Sequence, residues 1–196
     1  MANVDNPHGF LAVDNIFGGE YTGRLVPVAF LDTDATAAFK GSLVKFTGAS
    51  LNDGDIPVVT LASPGDQKLA GAIQQFDPER DGNWTNYHRL ASTQKIAYIP
   101  ADPKTLYQVQ EDSDGGNIDT ATAIGQNVNF TAEAGDTVLG TSTMELDSGT
   151  AANTATLPIR LQHVQRKIEN TGVSTDTNAN WIVTINQTAE LNTTGT

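Results

Sequence analysis

Clusters of turn-forming residues interrupt this chain about every dozen residues, and no amphipathic helix longer than two turns can be traced between them. Asn52-Asp53-Gly54-Asp55, Ser63-Pro64-Gly65-Asp66, residues 77–83 and Asp102-Pro103 are such clusters. Gly tolerates positive φ, Pro presets φ, and Asn and Asp bond their own backbone, so each cluster stops whatever element precedes it. A chain cut this often builds only short elements. The polar positions between the cuts are filled largely by Thr and Asn, 25 and 15 in 196 residues. Thr suits a half-buried pleated surface, and Asn suits tight turns. The expectation is an all-β fold, a β-sandwich or a barrel-like (jelly-roll-like) module.

Strands are expected at 25–31, 39–46, 58–61, 70–76, 95–99 and 106–110, then at 128–131, 137–139, 142–146, 156–164 and 181–185. Pro27 confines the first of these to a sheet edge or a bulge. Leu157, Ile159 and Leu161 alternate with Thr156, Pro158 and Arg160, giving that strand one apolar face. The polar stretch 112–122 (DSDGGNIDTAT) is expected to divide a single β-rich domain, 24–188, into two lobes. Residues 189–196 (AELNTTGT, wholly polar after Leu191) read as a flexible tail.

Residues 1–23 differ from the rest. Phe10, Leu11, Val13, Ile16 and Phe17 are apolar without a usable period, and Pro7, Gly9, Gly18 and Gly19 interrupt them. Such a segment either lies extended across another surface or packs on its own domain. The first alternative makes it an extended N-terminal arm, with those five side chains as protein-binding anchors.

Charge narrows the partners. With 23 acidic and 11 basic residues the formal net charge is -12, which repels phosphate backbones and anionic membrane surfaces. No nucleic acid and no membrane partner is expected. No apolar run reaches the roughly 18 residues of a membrane-spanning helix, and the N-terminus lacks the basic and apolar regions of a secretory signal. Cysteine is absent, which removes disulfides, thiolate nucleophiles and Cys-ligated zinc.

Motifs for chemistry are missing as well. There is no GxSxG, HExxH, P-loop or GxGxxG pattern. His8, His88 and His163 have no ligand-like spacing and read as surface or edge residues. Asp112-Ser113-Asp114-Gly115-Gly116 resembles the start of a calcium loop, but Asn117 stands where the pattern needs Gly and Ala123 where it needs Glu. Four Asn-x-Thr sequons, at Asn83, Asn129, Asn186 and Asn192, are near the two or three expected by chance from this composition. The expectation is a protein that is not an enzyme and needs no cofactor or metal.

Short ordered pieces carry a resemblance. Met1-Ala2-Asn3 with Pro7-His8-Gly9-Phe10 is followed by Ala97-Tyr98-Ile99-Pro100-Ala101-Asp102-Pro103 and Leu106-Tyr107-Gln108-Val109-Gln110-Glu111-Asp112. Then come Ile124-Gly125-Gln126-Asn127, Met144-Glu145-Leu146-Asp147-Ser148, Asn178-Ala179-Asn180-Trp181 and Val183-Thr184-Ile185-Asn186. In this order they resemble the capsid decoration (cement) proteins of tailed bacteriophages, over nearly the whole chain. Residues 157–167 (LPIRLQHVQRK) depart from that pattern in being more basic. The resemblance implies a β-rich virion protein on the capsid exterior, assembled in the bacterial cytoplasm, that clamps neighbouring major capsid subunits. It implies self-association as a homotrimer, with a dimer as the alternative. From a different class, a fibre or baseplate domain or a carbohydrate-binding β-module would use exposed aromatics, for which Trp84 and Tyr87 are the plausible pair.

Overall fold

A computed structural model describes residues 3–16, 23–52, 54–78, 87–165, 177–186 and 188–189. Strand residues make up 46% of those described and helix almost none, which settles the class as all-β. In chain order the strands are β1 (Leu11–Asn15), β2 (Leu25–Phe30), β3 (Leu43–Leu51), β4 (Ile56–Leu61), β5 (Leu69–Ala72) and β6 (Gln75–Phe76). They continue as β7 (Lys95–Pro100), β8 (Thr105–Gln110), β9 (Asn127–Phe130), β10 (Leu146–Ala152), β11 (Ile159–Val164) and β12 (Asn180–Ile185). Two six-stranded sheets pack together as a β-sandwich. The first runs β1-β8-β12-β11-β9-β10 and the second β5-β3-β4-β2-β7-β6.

All pairings in the first sheet are antiparallel. Its inner face carries Tyr107 and Val109, Trp181, Val183 and Ile185, Ile159 and Leu161, Val128 and Phe130. These alternate along their strands, as a half-buried strand requires. Leu43, Ala62, Leu69 and Ala72 meet them from the second sheet and complete one core. The second sheet curls on itself. Residues 69–76 pair with β3 through β5 and with β7 through β6, so one short segment joins both ends of the sheet. The second core, Val28, Phe30, Val44, Val59, Ile73, Ala97 and Ile99, fills the inside of that curl. Residues 43 and 44 therefore serve different cores, because neighbours on a strand point to opposite faces.

Several expectations need correction, among them the strand expected at 142–146, of which only Leu146 lies in a strand. The division between the two halves falls at residues 101–104, since β8 already belongs to the first sheet, and 112–122 is a loop within that half. Pro27 lies on an interior strand, not an edge. It is tolerated because the parallel β2–β4 contact is a single register pair, Ala29 with Val58, which leaves Pro27 outside that ladder. Residues 137–139 form a turn, described below, and not a strand.

The segment before residue 16 packs on its own domain. Gly9 and Gly41 cross so closely that a Cβ on Gly9 would stand 2.7 Å from the Gly41 carbonyl oxygen. Both have positive φ, which glycine adopts without strain. The crossing lets the Phe10 amide donate to the Gly41 carbonyl at 2.9 Å and turns the Phe10 ring inward. There it meets Tyr107 and Phe130 edge-on, with centroids 6.5 and 6.4 Å apart. β1 then pairs with β8, with a register shift between Ala12 and Asp14. Val13 is the extra residue of this bulge, which is why the apolar residues here show no period of two.

Candidate interaction surface

Large apolar side chains stand exposed on the turn 136–140 and on the segment that abuts it. Val138 is 80% exposed, Leu139 67% and Tyr87 64%, with Leu90 at 45% on the same segment as Tyr87. Leaving such side chains in water forgoes about 1.5–3 kcal/mol apiece, which makes this cluster the candidate surface.

The turn is held by its own polar groups. The Asp136 carboxylate accepts the amides of Val138 at 2.7 Å and Leu139 at 3.0 Å. The Asp136 carbonyl accepts the Gly140 amide, and the Asp136 amide donates to Thr141, both at 2.8 Å. With these amides occupied, 137–139 has no ladder to join, and its two apolar side chains project outward. Gly140 has φ +71°, and a Cβ there would lie 2.5 Å from the Tyr87 Cβ. Turn and tyrosine are therefore in direct contact, and only glycine permits it.

The support beneath is rigid. The Lys40 amide donates to the Gly140 carbonyl at 3.0 Å, and the Ser142 amide to the Lys40 carbonyl at 2.7 Å. Next to Tyr87, His88 is buried and stacks on Phe39, centroids 4.8 Å apart and planes 14° from parallel. His88 is thus a packed residue and not the surface histidine expected from the sequence; His163 is exposed. Arg89 and Ala38 exchange backbone hydrogen bonds at 2.8 and 3.0 Å.

The five arm residues are not brought together. Phe10 is fully buried in the first core, which corrects its expected role as an anchor on a neighbouring surface. Leu11 is half-buried in β1. Val13 and Ile16, 39% and 41% exposed, point outward. Phe17 lies outside the described residues, as does Trp84. Sequence reasoning missed the tip because the apolar pair Val138-Leu139 reads as a strand fragment; the signal available was Asp136 followed by Gly140, an acceptor and a positive-φ residue bracketing a turn.

Elsewhere, an open groove on the second sheet is lined by Leu31, Asp34, Thr47, Val58 and Thr60. Its one carboxylate, Asp34, is already engaged by Thr36, Thr60 and Arg89. Among the described residues no group of three or more His, Asp or Glu is placed to hold a metal ion, and no helix is long and apolar enough to cross a membrane. No protein-family model matches the chain, and no curated protein or solved structure is similar to it.

Proposed function

We propose that this chain is a structural protein-binding module: a decoration protein on the outside of a tailed-bacteriophage capsid that clamps neighbouring major capsid subunits. The observation that carries the protein-binding part is the exposure of Val138 and Leu139 on a hydrogen-bonded turn with Tyr87 against it. An aromatic beside aliphatic side chains, already fixed in position, is the composition of an interface centre and costs little ordering on binding. The capsid part rests on the ordered resemblance of the sequence, and the net charge of -12 suits a shell exterior better than a DNA-facing surface. Association of the chain with itself, as a trimer or alternatively a dimer, would multiply such contacts into avidity.

The test is co-sedimentation with undecorated shells of the cognate virion, comparing the native protein with the triple variant Tyr87→Ser, Val138→Ser, Leu139→Ser. Binding should fall by about two orders of magnitude or more, while the melting temperature of the free protein stays nearly unchanged. Unchanged binding would remove the tip from the contact. Copy number in the purified virion tests the location: hundreds of copies fit a shell component. A handful fits a fibre, baseplate or carbohydrate-binding module, which the exposure of Tyr87 favours as second reading, its ring being free to stack on a sugar face.

A further inference from the structure

Two glutamates at one end of the first sheet lie outside the interaction surface and are buried. Glu111, directly after β8, is fully buried. Its Oε2 accepts the Trp181 indole N–H and the Ile118 amide, each at 3.1 Å. Glu145, directly before β10, is 8% exposed. Its backbone is tied to Thr131, whose amide donates to the Glu145 carbonyl at 2.9 Å, yet its buried Oε1 has no hydrogen-bond partner. The two sit on adjoining segments: Glu111 bridges to Leu146, and the Asp112 amide donates to the Leu146 carbonyl at 3.0 Å.

Among the described residues, the charges acting on Glu145 are those of carboxylates. Asp5 comes from the N-terminal segment, Asp112 and Asp114 from the loop after β8, and Glu133 from the segment after β9. Asp112 also acts on Glu111 and on Asp147 of β10. The N-terminal segment is drawn in through Gln110, whose amide donates to the Val4 carbonyl at 2.9 Å and accepts from the Asn6 amide at 2.8 Å. An ionised carboxylate here loses hydration and faces like charges, whereas the neutral acid suffers neither penalty.

We propose that Glu111 and Glu145 form a proton-operated clasp, closed when they carry protons, that ties the N-terminal segment and the loop after β8 to the start of β10. Burial pushes both carboxyls up to about 7; hydrogen bonds from Trp181 and Ile118 oppose this at Glu111, and the surrounding carboxylates add to it at Glu145. Because the folded values lie above the unfolded ones, the stabilisation is complete below about pH 4.5 and is lost as pH rises through about 7. The Asp112 carboxylate acts on both sites. The clasp is a property of the fold and stands independently of the capsid reading.

The experiment follows Trp181 emission and denaturant unfolding from pH 5.5 to 8.5 in the full chain carrying Trp84→Phe, which leaves Trp181 as the reporter. The Trp181 signal should titrate with a midpoint near 7, and the folding equilibrium constant should fall by about 30-fold for each group across the range, on the order of a thousandfold for the two together. Glu145→Gln should flatten that fall and leave the variant more stable than the parent at pH 8.5, and Glu111→Gln should remove the Trp181 titration. Should a variant fail to fold, carbon-13 carboxyl NMR of the unaltered protein reads the same two groups directly. Midpoints near 4.5 in the folded protein, or a pH slope unaltered in Glu145→Gln, would overturn the proposal.

Discussion

Arg89 holds its guanidinium 3.6 Å from the Asp34 carboxylate, with the Arg89 side chain fully buried. Coulomb attraction to Asp34 is only part of what it does. Its Nε donates to the Thr93 carbonyl at 2.8 Å, one terminal nitrogen donates to the carbonyls of Leu31 and Asp34 at 2.7 Å each, and the other donates to the Thr36 carbonyl. The same group lies over the Phe30 ring, 4.9 Å from its centroid. One planar cation thereby satisfies the carbonyls of two loops that have no strand partners and ties them beside Tyr87, two residues away.

Replacing Arg89 with Met should be among the most damaging single changes around the second sheet. The carbonyls of Thr36 and Thr93 lose the guanidinium donor, those of Leu31 and Asp34 keep only the Asp34 and Ser92 amides, and Asp34 loses its counter-charge, a cost of about 3–5 kcal/mol. The melting temperature should fall by roughly 6–15 °C, measured by calorimetry. A fall of a degree or two would show that water replaces the guanidinium without penalty.

Asp34 gives the acid side of stability a definite sign. Burial alone would raise its carboxyl, but hydrogen bonds from Thr36 and Thr60 and the charge of Arg89 outweigh burial and hold it below the ordinary 3.8. A depressed folded value stabilises above the unfolded value and is lost as pH falls through the folded one. The difference in melting temperature between the native protein and Asp34→Asn should therefore be full at pH 6 and shrink below about pH 4. A difference that stays constant down to pH 3 would contradict it.

Phe10 belongs to the core, so Phe10→Ala should cost about 3–5 kcal/mol. Val13→Ser and Ile16→Ser, at outward-facing positions, should each stay within about 0.5 kcal/mol. Denaturant unfolding of the three variants measures this. Equal small effects at all three positions would restore the anchoring arm.

Gly140→Ala tests whether the tip depends on close contact. The added methyl group meets the Tyr87 Cβ at 2.5 Å in a backbone conformation that alanine dislikes, so either the turn or the tyrosine must move. A destabilisation of about 1–3 kcal/mol is expected, together with a changed Tyr87 ring environment by proton NMR. An unperturbed Tyr87 spectrum would show that the two surfaces are not coupled.

The class and most of the elements are legible along the chain, because these depend on neighbours in sequence. Turn clusters at 52–55, 63–66 and 102–103 cut the chain where the strands end, and the alternation at Trp181, Val183 and Ile185 names the buried face of β12. What depends on residues distant in sequence was decided only by the tertiary structure. Phe10 turns inward because Gly9 crosses Gly41 and because a bulge at Val13 resets the face of β1, and neither is visible in a local period. The boundary between the halves lies at 101–104 because β8 finds β1 and β12 as partners; the polar stretch 112–122 merely resembles a linker. Val138 and Leu139 have the composition of a strand, but Asp136 takes their amides and leaves them in solvent. Glu111 and Glu145 are ordinary surface residues by type, and long-range strand pairing buries them. A carboxylate's environment is set by what folds over it, and no pattern along the chain records that.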